Sequence, residues 1–388
     1  MSSSFWLLLF LTVTINMGVG LILPIMPILM KDFGFSTSGL SLAFFALVGS
    51  RFIFQNVGGH LIHRIGSYKI LGFCFFLYAL IMGVYPFILT KELFVCFRAL
   101  EGIFEGFAVV SLHNLAIEHS DTKTRGRKMG YFSAAFGLGF ILGPSLGGIM
   151  FQNFGKYGMF WSASMLSLIG FLGIIIAHNA LDLKHTKKET EFSFLQFNLR
   201  SLALLPLYGP QLLRRVLFFS FQILLPLYAH EYLRLPAAKV GILFTMSAIL
   251  TTALMPLTGR ASDIIPSQKI LRIQLLIMGS LISSFGFIQK QSLFVVAFIL
   301  ETLAFCFMLP AGMKIFGDAV MHRSNKGQIL GFFGSITDLC TIVIPFIILP
   351  LYNITPKLSW MFLGGLCITV SLPFWRTIAL ENINTDEI

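Results

Sequence analysis

Charge is what this chain has least of. Asp, Glu, Lys and Arg make up only 12% of its 388 residues, while 56% are hydrophobic. Soluble domains carry about twice that charged share, roughly a quarter of their residues. A water-facing exterior cannot be covered with so little, so lipid is the solvent for most of the surface. Cysteine is scarce as well. Cys74, Cys96, Cys306, Cys340 and Cys367 all lie inside apolar stretches and none forms a CxxC pair. That excludes a disulfide framework and a thiolate metal site. There is no GxxxxGK[ST] loop, which removes ATP-driven transport, and no HExxH or paired-histidine spacing. The chain is read as no enzyme, with no cofactor and no metal. Its net charge of +11 does not signal nucleic acid, because the basic residues sit in short loops between apolar runs rather than in one stripe.

Long apolar runs are what the chain does have. Crossing about 30 Å of hydrocarbon takes roughly 20 helical residues, and in lipid every backbone polar group must be satisfied within its own segment. The runs predict helical spans near 5–30, 38–59, 69–89, 92–117, 128–150, 157–178, 212–232, 238–258, 270–289, 292–320, 328–352 and 357–375. The first is too long for a signal-peptide core and has no basic leader, so it reads as an uncleaved span. The fold class expected is an all-α integral membrane protein of twelve transmembrane helices.

Basic residues gather on one face: Arg64, Lys123, Arg125, Arg127, Lys128, Lys184, Lys187, Lys188, Arg200, Arg260 and Arg323 lie in alternate loops. The opposite loops hold Lys31, Lys91, Lys156, Arg234, Lys239, Lys290 and Lys357. The bias toward the first set predicts both termini in the cytoplasm and a location in the cell membrane, the inner one in a Gram-negative bacterium. The longest loop, 179–211, opens charged and then turns apolar from Phe192 to Leu207, the pattern of a helix lying on the membrane face.

That loop joins two related halves. Leu23-Pro24 pairs with Leu225-Pro226, Gly39 with Gly241, and Gly59 with Gly259. Ser67, Lys69, Ile70 and Leu71 pair with Ser267, Lys269, Ile270 and Leu271; Leu93-Phe94-Val95 pairs with Leu293-Phe294-Val295, and Glu101 with Glu301. Gly126, Gly130 and Pro144 pair with Gly327, Gly331 and Pro345. The register drifts by no more than two residues across a whole half. The expected domains are an N-terminal six-helix half (1–178), the joining loop (179–211), a C-terminal half (212–378) and a tail (379–388). Two such pseudo-symmetric bundles are the layout of transporters that rock about a site between the halves. Lipid, protons and a small-molecule substrate are the expected partners, and a monomer the expected state.

Buried charge marks where function sits. On span 4, Arg98, Glu101, Glu105 and His113 fall within roughly 120° of arc, on one face. Each charge left in lipid would cost roughly 2.5–3.5 kcal/mol, so these residues face a cavity or one another. Proton coupling and a plain ion pair, Arg98 with Glu101 or Glu105, both fit. Arg51 on span 2, Glu301 and Lys314 on span 10 and Asp338 on span 11 are the other intramembrane ions. Lys314 has Asp318 four residues on as a ready partner. Asp338, near midplane depth, suits either coupling or substrate. Arg51 suits an anionic substrate, or a carboxylate partner among Glu101, Glu105 and Asp338. Glu301 and His113 complete the candidate substrate set.

Three segments carry a family resemblance. Gly59-His60-Leu61-Ile62-His63-Arg64-Ile65-Gly66 resembles the loop signature G-x-L-x-D-R-x-G of the major facilitator superfamily, with His63 at the acidic position. The later copy restores the acid as Asp263 but has Ile264 and Pro266 where the pattern has a basic residue and glycine. Gly137, Gly139, Gly143-Pro144 and Gly147-Gly148 resemble the antiporter signature G-x(5)-G-P-x-x-G-G of twelve-span drug:proton antiporters. Arg98-Ala99-Leu100-Glu101-Gly102 is similar to that family's R-x-x-x-G, whose arginine is linked to proton transfer. The acid that many relatives carry on span 1 is absent; Asn16 is the polar residue there. The resemblance implies a major facilitator fold, with Gly59, His63, Arg64, Gly66 and Asp263 as a gating loop motif. It implies Arg98, Glu101, Glu105 and Asp338 as coupling residues and Gly139, Gly143, Pro144, Gly147 and Gly148 as the antiporter motif. The expected function is proton-coupled export of drugs or metabolites. Export of an anionic metabolite such as a carboxylate siderophore is the alternative, and nutrient uptake a second one.

Overall fold

A computed structural model describes residues 3–119, 125–180, 204–320 and 326–372. Every regular element in them is helical. Span 1 is α1 (Ser3–Ile22) and α2 (Met26–Asp32), parted at Leu23-Pro24-Ile25, where proline lacks the N–H that would continue the ladder. α3 (Thr37–Ile65), α4 (Ser67–Val84) and α5 (Lys91–Glu118) follow, with a 3-10 turn, Tyr85–Phe87, after α4. α6 (Arg125–Ala180) covers spans 5 and 6 in one run that turns at Gly155, whose φ of 62° is open to glycine. α7 (Leu205–Glu231), α8 (Ala237–Ile264) and α9 (Ser267–Phe285) come next. Span 10 is split into α10 (Gln291–Phe305) and α11 (Met308–Val320), and α12 (Lys326–Ile354) and α13 (Pro356–Ser371) close the order.

Eight helical stretches among the described residues are long and apolar enough to cross a membrane, and one of them, Lys128–Ile176, has the length for two crossings. α5 is not among them, and it carries the three buried ions Arg98, Glu101 and Glu105. The chain is thus an all-α, multi-pass membrane fold. The lipid-facing exterior has the composition expected: Trp6, Phe73, Ile176, Met165 and Leu257 are all more than half exposed.

The start of α7 departs from expectation. The apolar stretch ending at Leu207 has the pattern of a surface helix, but α7 begins at Leu205, with Pro206 in its first turn. Leu204 and Leu207 are buried against Phe316 and Phe333. Tyr208 bonds Thr337 at 3.0 Å, and Gln211 donates to the Leu309 carbonyl at 3.1 Å. These contacts carry the span expected from 212 back to Leu205. The remainder of that loop, 181–203, lies outside the described residues.

The described residues fall into two compact units. The first holds those up to Ala180 together with Arg234–Ala248; the second holds 204–233 and those from Ile249 onward. In the first, α1 and α6 approach to backbone contact. A Cβ on Gly139 would lie 2.6 Å from that of Asn16, and one on Gly143 would lie 2.6 Å from the Met17 carbonyl oxygen. Small residues every fourth position are how membrane helices gain contact where hydrophobicity gives none. The first half of α8 meets the same helix: a Cβ on Gly148 would lie 2.6 Å from the Ala237 carbonyl oxygen. Ser145 donates to Thr245 at 2.7 Å, and Thr245 donates to the Ile141 carbonyl at 2.7 Å.

Candidate functional site

The polar centre of the first unit is built on α5. Thr90 caps this helix by accepting the Leu93 N–H, and no proline interrupts it. Helical spacing then stacks Arg98, Glu101 and Glu105 along one face. All three are at most 8% exposed. Arg98 Nη1 donates to Glu101 Oε2 at 2.7 Å, a buried ion pair one turn apart. Tyr85 donates to Glu101 Oε2 at 3.2 Å and Tyr78 to Oε1 at 3.4 Å. The Glu101 carboxylate therefore has a guanidinium and two hydroxyls around it. The guanidinium also sits 5.8 Å from the Phe44 ring centre, while its Nε has no hydrogen-bond partner among the described residues.

A second pair lies one turn on. Arg51 of α3 approaches Glu105 at 3.5 Å, with both side chains partly open. α3 can come this close because α5 presents glycine to it: a Cβ on Gly106 would lie 2.8 Å from the Arg51 carbonyl oxygen, and one on Gly102 would strike the Leu47 carbonyl and the Ser50 hydroxyl. Two cations and two carboxylates thus balance within one unit. Beside Glu105 is a small cavity lined by Tyr78, Phe104, Ala108 and Ser167.

Four of the residues singled out by sequence come together here: Arg98, Glu101, Glu105 and Arg51. The helical projection puts His113 on the same face, but it is exposed, its Nδ1 bonded to the Val109 carbonyl at 2.8 Å and its ring against Phe132. Asp338 and Glu301 belong to the second unit. Asp338 is half-buried on α12 and held in a polar or electrostatic contact. Glu301 is buried on α10. Lys314 does not take the partner four residues on; it donates to the Ser262 carbonyl at 2.7 Å and lies 3.9 Å from Asp263. In the loop motif, Arg64 is exposed and Gly66 has a φ of 98°, a backbone conformation that L residues other than glycine avoid. The side chain of His63 lies outside the described residues.

Tyr78 and Tyr85 are functional candidates that hydropathy and motif matching pass over. A signal is present all the same: they are seven apart, on one helical face, and a buried tyrosine hydroxyl needs a partner.

The matched family model is that of the Major Facilitator Superfamily, over residues 8–288 and 210–382, and the chain belongs to that family of membrane transporters. Among curated proteins it is 26% identical over 371 residues to Multidrug resistance protein 2 of Bacillus subtilis, covering 90% of this chain and 88% of that one. It is 25% identical over 179 residues to the Quinolone resistance protein NorA of Staphylococcus aureus. That match spans about half of either protein, 46% of each. Among solved structures, the nucleoside transporter NupG superposes with a TM-score of 0.77 at 13% identity, over 96% of this chain and 99% of that one. PepTSo, of the POT family, gives 0.76 at 11%, over 97% of each. At such identities these two establish the fold alone.

Proposed function

We propose that this transporter exports amphipathic organic molecules in exchange for protons, with both termini in the cytoplasm. The observation that carries the reading is the buried cluster on α5. A membrane protein keeps two arginines and two glutamates inside one unit at high desolvation cost, and a structural role would be served more cheaply by apolar side chains. Relatives named for multidrug and quinolone resistance support a drug-like cargo, and resistance is what export of such a cargo would give.

In this mechanism Glu101 stays ionised against Arg98 and its two tyrosines, and Glu105 exchanges the proton. Its pair with Arg51 is longer, at 3.5 Å, and more open. Protonating Glu105 frees Arg51 and weakens the electrostatic attraction between α3 and α5. The proton acts as a ligand that favours one state by differential affinity. Asp338 is the candidate counterpart in the second unit.

Arg51 also bears on cargo. A cation without a partner would favour an anionic metabolite, but Glu105 already balances this one. That weighs against a carboxylate siderophore and for neutral or cationic amphiphiles.

The test is transport by the purified protein in liposomes, with norfloxacin and ethidium as probes. An imposed pH gradient is expected to drive accumulation of at least one of them, and Glu105→Gln to abolish the gradient's effect. No gradient-driven movement of either probe would reject the drug-export reading.

A further inference from the structure

The two halves treat the same carboxyl in opposite ways. Glu101 and Glu301 are repeat mates at a separation of 200 residues. The packing keeps that register: the Tyr85–Phe94 ring contact, at 5.3 Å between centres, reappears as Phe285–Phe294 at 5.3 Å. The Tyr85–Phe160 contact reappears as Phe285–Trp360. In the first half, Glu101 is held by Arg98, Tyr78 and Tyr85. At the same separation the second half has Phe298, Met278 and Phe285, all buried. Each of the three polar partners has been replaced by an apolar side chain, and the acid has been kept.

Glu301 is 5% exposed. Among the described residues no hydrogen bond or ion pair reaches its carboxyl. The titratable groups that feel its charge are two thiols, Cys306 at the end of α10 and Cys367 on α13. Among the described residues of α7, α8, α9 and α13, no lysine, arginine or histidine pairs with it. An ionised carboxylate in such surroundings would pay its whole desolvation cost without return, whereas the neutral acid pays little. A glutamate that served only packing has a cheaper isostere in glutamine or leucine.

We propose that Glu301 is a proton-binding site of the second half, where a proton takes the place that Arg98 holds beside Glu101. The carboxylate takes up a proton from water on one side of the membrane, rests in this state as the neutral acid, and releases it when the surroundings open to the other side. No bond other than the O–H is made or broken. The first half thus holds a fixed internal cation and the second an exchangeable one. As a contribution to transport this rests on the export reading above; as a proton site it does not.

Dicyclohexylcarbodiimide separates the possibilities, because it reacts with protonated carboxyls in apolar surroundings. The full-length protein in liposomes is treated over a range of pH and the modified residue located by mass spectrometry. Glu301 should be modified, Glu101 spared, and Glu301 modification should fall by about tenfold per pH unit once the acid titrates. No modification at any pH, or a yield that never changes with pH, overturns the proposal, the second result meaning a permanently protonated structural group. Glu301→Gln mimics the neutral acid and should keep the wild-type melting profile while gradient-driven norfloxacin or ethidium accumulation falls at least tenfold. Accumulation by this variant with the wild-type dependence on the gradient also overturns it. If the wild-type protein moves neither probe, the drug-export reading fails while the labelling result still decides the proton site.

Discussion

Arg98 shows how a single residue is committed by its surroundings. It is only 3% exposed, bonded to Glu101 and facing Phe44. Removing one member of such a pair leaves the other charged in the interior, a loss of about 3–5 kcal/mol. Arg98→Ala is therefore expected to lower the melting temperature in detergent sharply, while the double change Arg98→Met with Glu101→Gln should recover much of that loss. Lys314 and Asp263 give the contrast. That pair is 3.9 Å apart and largely exposed, so Asp263→Asn should shift stability by no more than about 1 kcal/mol. Much of the candidate site is legible at this scale, since an ion inside an apolar span is conspicuous in any sequence. The pairings are not. Arg98 takes Glu101 one turn along the same helix, and the Arg51–Glu105 pair is set by how close α3 packs to α5, which hydropathy does not report. His113 illustrates the error that follows from projecting an ideal helix: being in phase with Arg98 does not bury it.

At the scale of helices, close approach is decided by glycine. Gly102 and Gly106 let α3 onto α5, and Gly139, Gly143 and Gly147 let α1 onto α6. A side chain forced into either seam shifts a backbone at a cost of about 1–3 kcal/mol. Gly102→Val should separate α3 from α5, disturb the Arg51–Glu105 pair and lower stability, as read by thermal unfolding and by disulfide cross-linking between cysteines placed on the two helices. The α6–α8 contact also has a hydrogen-bonded part, Ser145–Thr245–Ile141. Such bonds in membranes average about 0.6 kcal/mol, so Thr245→Val should cost little stability and any larger effect should appear in transport instead. Span positions are legible from apolar length. The breaks after Ile22 and Phe305 and the early start of α7 are not, because they follow from prolines and from side chains that find a core.

For the molecule as a whole, the repeat is the most informative feature. A register kept across a half makes the two-bundle fold legible from residue identities alone, and the family match and the superposition on NupG agree with it. What the repeat hides is its own asymmetry: matching Glu101 with Glu301 suggests equivalent sites, whereas the first is held by polar partners and the second has the buried Phe298, Met278 and Phe285 at the matching positions. The central claim is that buried acids in this fold exchange protons to drive cargo outward. Simultaneous recording of lumenal pH and norfloxacin or ethidium uptake in liposomes tests it most directly. The account predicts that adding probe to vesicles holding a pH gradient releases protons in step with probe movement, in the wild type and not in Glu105→Gln. Probe movement with no accompanying proton flux, or unchanged flux in that variant, would contradict it.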